Sequence, residues 1–193
     1  LQKKKTKNKE LEWRPSAVCI SKSGFDRDTG FQVLNWISYK YGFGTYIHKI
    51  TGYYSSQTYT ESMDQLKKLR ERFDQKINHV YIDTLISPSF TSAIAQTIQI
   101  PGISGMENNM VLFDFLRSDE AELESIIDNL PLVNAGEFDI GIISASESHI
   151  KLKNGIHIWL RPSDLENANL MILLSYIILG HPDWRKADIR IFQ

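Results

Sequence analysis

The chain has 193 residues, 42% of them hydrophobic and 23% charged, with 22 basic and 23 acidic side chains and a formal net charge of −1. These values exclude a disordered, collagen-like or coiled-coil chain. Near-neutrality leaves no whole-molecule attraction to nucleic acid. A chain of this length buries one sizeable core, or one full unit and part of a second.

The single cysteine, Cys19, has no partner for a bridge within the chain, which points to a reducing, cytosolic setting. The longest apolar run, Leu170–Leu179, is interrupted by Ser175 and falls short of the roughly 20 residues a bilayer crossing needs. The N-terminus is basic but no apolar stretch follows it, so no signal peptide is expected.

Residues 1–12 stand apart. Lys3, Lys4, Lys5, Lys7 and Lys9 outnumber Glu10 and Glu12. The segment reads either as a solvated linker or as a membrane-proximal leader, in which each lysine near an anionic leaflet contributes about 1 kcal/mol.

From Ala17 the pattern alternates between strand and helix. Ala17–Ser21 reads as a buried strand. Phe31, Leu34, Ile37 and Tyr41 mark an amphipathic helix that Gly42 and Gly44 end, and residues 45–50 form a second strand. Over residues 61–78, Met63, Leu66, Leu69, Phe73 and Ile77 share one face of a surface helix. Residues 79–86 give a third strand. Ser87-Pro88-Ser89 opens a helix carrying Phe90, Ile94 and Ile98, which Pro101-Gly102 stops.

Residues 110–115 predict a fourth strand. Ser118 is placed to cap the next helix, with Asp119, Glu120 and Glu122 at its positive end and Leu123, Ile126, Ile127 and Leu130 as its buried stripe. Residues 138–144 make a fifth strand. Alternating strands and helices, with strands lacking polar alternation, predict a mostly parallel, doubly wound α/β sheet with helices on both faces. That unit spans residues 13–144. A polar loop at 145–154 separates it from residues 155–193: a strand at 156–160, an apolar helix at 165–179 and a last strand at 189–192. This terminal piece is too small to close a core alone and must pack on the first unit or on another chain.

Chemistry-bearing patterns are sparse. His48, His79, His149, His157 and His181 lack metal-ligand spacing, so no metal is expected. Cys19 sits in a central strand as an apolar filler. Asp83, in the carboxyl half of the third strand, is where an acid or base would stand if the sheet edge were catalytic. Gly102 and Gly105 match the first half of the ATP-binding pattern of universal stress proteins. Phe115-Leu116 then stands where a glycine and a hydroxyl residue belong. Ser144, Ser146 and Ser148, in the polar loop, could accept phosphate. Within Leu170–Leu179, Leu170, Met171, Leu174, Tyr176, Ile177 and Ile178 are the candidate contacts with a partner subunit, although a buried central helix has the same composition.

Four stretches together resemble the cytosolic C-terminal domain of the cation–chloride cotransporters, the Na-K-Cl and K-Cl cotransporter family. They are Trp13-Arg14-Pro15; the segment at 102–115 with Gly102, Met106, Asn109 and Phe115; Gly155-Ile-His-Ile-Trp-Leu160; and Trp184-Arg-Lys-Ala-Asp-Ile-Arg-Ile-Phe192. His157, Leu160 and Ala168-Asn169 depart from the family pattern, and the loop at 145–154 is much shorter than the phosphorylated insertion of animal members, which suggests a prokaryotic relative. The resemblance implies a universal-stress-protein-like fold followed by the start of a second similar subdomain. It also implies a non-catalytic regulatory and dimerisation role on the cytoplasmic face of the membrane, a homodimer, and a transporter membrane domain in the same parent chain. No cofactor and no small-molecule substrate of this domain are expected. The alternatives are a free-standing nucleotide-binding protein of the universal stress type and an enzyme using Asp83.

Overall fold

The computed structural model describes residues 13–73, 79–102, 107–146 and 153–193. The first strand, β1 (Ser16–Ser21), is followed by α1 (Thr29–Ser38), β2 (Phe43–Thr51), α2 (Ser56–Phe73), β3 (Val80–Ser87), α3 (Phe90–Thr97) and β4 (Met110–Leu116). Then come α4 (Glu120–Ile127), α5 (Leu130–Asn134), β5 (Asp139–Ala145), β6 (Gly155–Trp159), α6 (Leu165–Leu179) and β7 (Asp188–Phe192). Short 3-10 turns lie at Pro162–Asp164 and Pro182–Trp184.

Strands β1 to β5 form one sheet in the order β3-β2-β1-β4-β5, every pair parallel. This is the doubly wound α/β architecture expected from the alternation. Successive residues of β1 show why it sits at the centre. Ala17 and Cys19 enter one core with Phe31, Leu34, Ile37, Tyr46, Leu66, Leu69 and Phe73. Val18 and Ile20 enter the other with Ile94, Phe113, Ile126 and Val133. A strand buried on both faces cannot alternate apolar with polar. The sheet thus carries α1 and α2 on one side and α3, α4 and α5 on the other.

Several local expectations are corrected. Helix α2 begins at Ser56, not near residue 61, because Ser55 and Thr58 cap it reciprocally: the Thr58 N–H donates to Ser55 Oγ at 3.2 Å and the Ser55 N–H to Thr58 Oγ1 at 2.9 Å. That polar first turn carries no apolar periodicity. Met63 is exposed and Ser62 is buried in its place, bonded to Thr84 at 2.9 Å. Asp119, not Ser118, caps α4, accepting from the Glu122 N–H at 2.9 Å. The stripe from Leu123 to Leu130 is split between two helices: Pro131 has no N–H to continue α4, so α5 starts a new turn, and Ile127 is left exposed. Gly44 lies inside β2, and α1 ends before Gly42. A side chain at Gly42 would meet the Pro15 carbonyl at 2.5 Å, the same oxygen that accepts from the Phe43 N–H at 2.8 Å. Gly42 serves that close approach.

Strands β6 and β7 form a separate parallel pair. Helix α6 connects them and lies on the first unit: Ile177 is buried in the same core as Leu34 and Ile37, and Leu170, Leu174 and Ile178 pack against it. Trp36 of α1 meets Trp184 edge-on at 5.0 Å between ring centroids. Among the described residues no helix is long and apolar enough to cross a membrane.

Candidate functional site

In a doubly wound sheet, ligands sit outside the carboxyl ends of the strands where the strand order reverses. Here that crevice lies between β1 and β4, and the chain's own side chains occupy it. Arg27, in the loop after β1, donates from Nε to Asp114 Oδ2 at 2.7 Å, and from one Nη to Glu122 Oε1 at 2.7 Å and the Asp114 carbonyl at 2.9 Å. Glu122 Oε2 accepts from the Leu116 N–H at 3.1 Å. The loop after β1 is thereby fastened to the start of α4. Burial works against the Arg27 charge, but the hydrogen bonds it donates to Glu122 and Asp114 outweigh that and hold the guanidinium above its ordinary range. Gly30 packs tightly beside this knot, since a side chain there would meet Asp114 at 3.0 Å and Cys19 at 3.1 Å.

The residues singled out for chemistry are scattered by the fold. Burial first, then the Asp114 charge, pushes the Cys19 thiol well up, with Arg27 opposing, so it stays protonated at neutral pH. Asp83 lies in the middle of β3, opposite Ile47, and its carboxylate accepts from the Thr84 N–H at 2.8 Å and the Tyr81 hydroxyl at 3.4 Å. It stands short of the strand's carboxyl edge. Phe115 fills the second core. Gly102 is described; Gly105 and Met106 lie outside the described residues, as do His149, Ser148 and the five leader lysines Lys3, Lys4, Lys5, Lys7 and Lys9. Ser144 belongs to β5 and not to the polar loop. Among the described residues, no group of three His, Cys, Asp or Glu side chains comes together as metal ligands.

Of the six helix residues proposed as partner contacts, Ile177 is buried within its own chain. Leu170, Leu174 and Ile178 are partly buried against the same core, and Met171 is half-buried. Tyr176 alone is open, at 62% exposure. Leu165 and Leu173, not singled out before, are exposed as well. Leu173 and Tyr176 join Trp13, Pro15 and Tyr41 around an apolar cavity of about 430 Å³. Beside α6, the β6–β7 pair presents Trp159, 66% exposed and stacked on Phe192 at 4.5 Å. Ile191 is exposed on its opposite face. Two hydrogen-bonded strands alone are marginal in water, and parallel strands are normally covered on both faces.

A second cavity, of about 290 Å³, marks the joint between α1 and the terminal segment, with Asn35, Trp36, Tyr39, Lys153, His181 and Asp183 among its lining residues. Asp183 Oδ2 accepts from Lys153 Nζ at 2.6 Å and from Trp36 Nε1 at 3.3 Å, and its backbone N–H donates to His181 Nδ1 at 3.1 Å. Desolvation lowers the His181 pKa, opposed by the Asp183 charge; desolvation works to raise that of Asp183, but the hydrogen bonds from Lys153 and Trp36 and the Lys153 charge outweigh it and leave the carboxyl lowered.

Two of the four family-like stretches meet at the amino edge of the sheet. Asn109 Nδ2 donates to the Arg14 carbonyl at 2.7 Å while its Oδ1 accepts from the Ser16 N–H at 2.9 Å. The other two meet in the Trp159–Phe192 stack. No known protein family matches this chain, and no curated protein is detectably similar to it in sequence.

Proposed function

We propose that this chain is a regulatory and dimerisation domain without chemistry of its own, of the kind cation–chloride cotransporters carry on their cytoplasmic side. In this reading two copies pair through the outer side of α6 and the β6–β7 strands. The observation that carries it is that Leu173 and Tyr176 of α6 and Trp159 of β6 are all exposed on a segment that cannot cover itself. Clustered exposed apolar side chains of this kind mark interaction surfaces.

The resemblance supplies the rest: the contacts of Asn109 with Arg14 and of Trp159 with Phe192 bring its four stretches together in two pairs, and β6–α6–β7 suits the start of its second subdomain. The lysines at 3, 4, 5, 7 and 9 suit a leader running to an anionic leaflet. The chloride-coupled cation movement belongs to the membrane domain of the parent chain. A change in dimer geometry at α6 then acts on that domain as a rigid-body bias between states.

Hydrogen exchange at low and high protein concentration tests the reading. Amides of α6 and of β6–β7 gain protection as concentration rises, while those of β1 and β4 do not change. Exchange that is independent of concentration throughout the chain rejects it.

A further inference from the structure

The carboxyl edge of the sheet carries a second feature, on the α3 face and apart from both the Arg27 knot and the α6 surface. Lys49 of β2 is buried at 7% exposure, and its Nζ donates to Thr51 Oγ1 at 2.6 Å. Lys22, just past β1, lies with its Nζ 4.4 Å from the ring centre of Phe90, the first residue of α3. Among the described residues neither ammonium has a carboxylate partner. Ser21 of β1 pairs with His48 of β2, so the next residues, Lys22 and Lys49, stand side by side at this edge; burial, and then the Lys22 charge, lowers the Lys49 pKa.

The third element is Ser87. It is fully buried, and its Oγ has no hydrogen-bond partner. Its direction follows from register: Ile47 and Leu85 both pack into the α3-side core, so Lys49, Thr51 and Ser87 share that face, Thr51 and Ser87 being direct partners across the strands. Immediately after Ser87, Ser89 caps α3, accepting from the Ser92 N–H at 3.0 Å. The N–H groups of the first helical turn have no carbonyl within the helix to bond, and the helix start carries partial positive charge.

We propose that Lys22, Lys49, Ser87 and the first turn of α3 form a binding site for a phosphate-bearing ligand, a phosphomonoester dianion. The chemistry is complementary. An anion between the two ammonium groups offsets their repulsion, the start of α3 adds its partial positive charge and the first-turn N–H groups that the Ser89 cap leaves free, and the anion's oxygens give the orphaned Ser87 hydroxyl an acceptor. The inference is independent of the dimer reading, since none of these residues belongs to α6 or to β6–β7.

Calorimetric titration of the intact chain tests it with three probes: inorganic phosphate, glycerol phosphate, and phosphatidylcholine vesicles with and without phosphatidate. Saturable binding of at least one phosphate probe is expected. Lys22→Gln, at a half-exposed position, and Lys49→Gln should each weaken it about tenfold, the worth of one charge-assisted hydrogen bond. Ser87→Ala should weaken it severalfold, and Lys186→Gln, exposed near the other end of the chain, should leave it unchanged. Binding of the soluble probes without the vesicles identifies a free ligand. Binding only to phosphatidate vesicles identifies a lipid headgroup. Either result, lost in the lysine variants, supports the site. No saturable binding by any probe at up to about 10 mM phosphate overturns it, as does binding that Lys22→Gln leaves intact in a chain of unchanged circular dichroism.

Discussion

Arg27 and Asp114, 87 positions apart in the sequence, meet at 2.7 Å across the point where the strand order of the sheet reverses. Their side chains are 12% and 1% exposed, so the pair works in a poorly hydrated setting, with Glu122 as the third member. Removing one partner of such a pair leaves a buried charge without compensation. Arg27→Met is therefore expected to cost about 3–5 kcal/mol of stability, read as a shift in the urea midpoint. Replacing all three members together, as Arg27→Met with Asp114→Leu and Glu122→Leu, should recover much of that loss. A single variant as stable as the parent would mean that the knot is not structural.

Asn109 ties the entry to β1 onto β4's amino end by two hydrogen bonds, one to the Arg14 carbonyl and one from the Ser16 N–H. Asn109→Ala strands the Ser16 N–H, which is buried with its residue at 2% exposure. A loss of about 1–3 kcal/mol is expected from a buried donor left unbonded. Limited proteolysis should then cut near Trp13 faster than in the parent chain. Equal cleavage rates would refute the tie.

Stability should fall on mild acidification, and the cause lies with two buried histidines. His48 and His181 both have pKa values lowered from 6.5, in each case chiefly by burial. Between the lowered folded values and 6.5 the unfolded chain binds more protons than the folded one, so stability rises with pH across that window. The contribution is complete above 6.5 and is lost as pH falls through the folded values. Asp139, raised mainly by burial, and Asp183, lowered mainly by Lys153 against its own desolvation, start from 3.8 and act in more acidic solution. Urea unfolding at about pH 7.5, 6.5 and 5.5 should give a slope that flattens in the His48→Gln, His181→Gln double variant. An unchanged slope would place the proton uptake elsewhere.

The alternation of strands with helices was readable because each buried strand is a short continuous apolar run and each helix of the first unit, except the polar start of α2, has a marked apolar face. What the sequence hid were features that depend on distant residues meeting. Arg27 looks like one more loop cation until β4 brings Asp114 beside it. Glu122 reads as an acid favouring its own helix dipole, yet it reaches the Arg27 guanidinium and the Leu116 N–H. The faces of α6 were illegible for a different reason: Leu170–Leu179 is apolar nearly all round, so periodicity cannot say which side meets α1. Only the fold separates Ile177, inside the core, from Leu173 and Tyr176, outside it. Lys22 and Lys49 are likewise brought together by β1 and β2 lying side by side.

Pairing through that outer side of α6 is tested most directly by sedimentation velocity over about 5–100 µM, the range in which mass action would reveal a moderately stable dimer. The account predicts a dimer that dissociates on dilution, and a monomer throughout the range for Leu173→Glu and for Tyr176→Glu, with secondary structure unchanged because both side chains face water in the single chain. A parent chain that sediments as a monomer at the highest concentration, or a dimer that both substitutions leave intact, would contradict it.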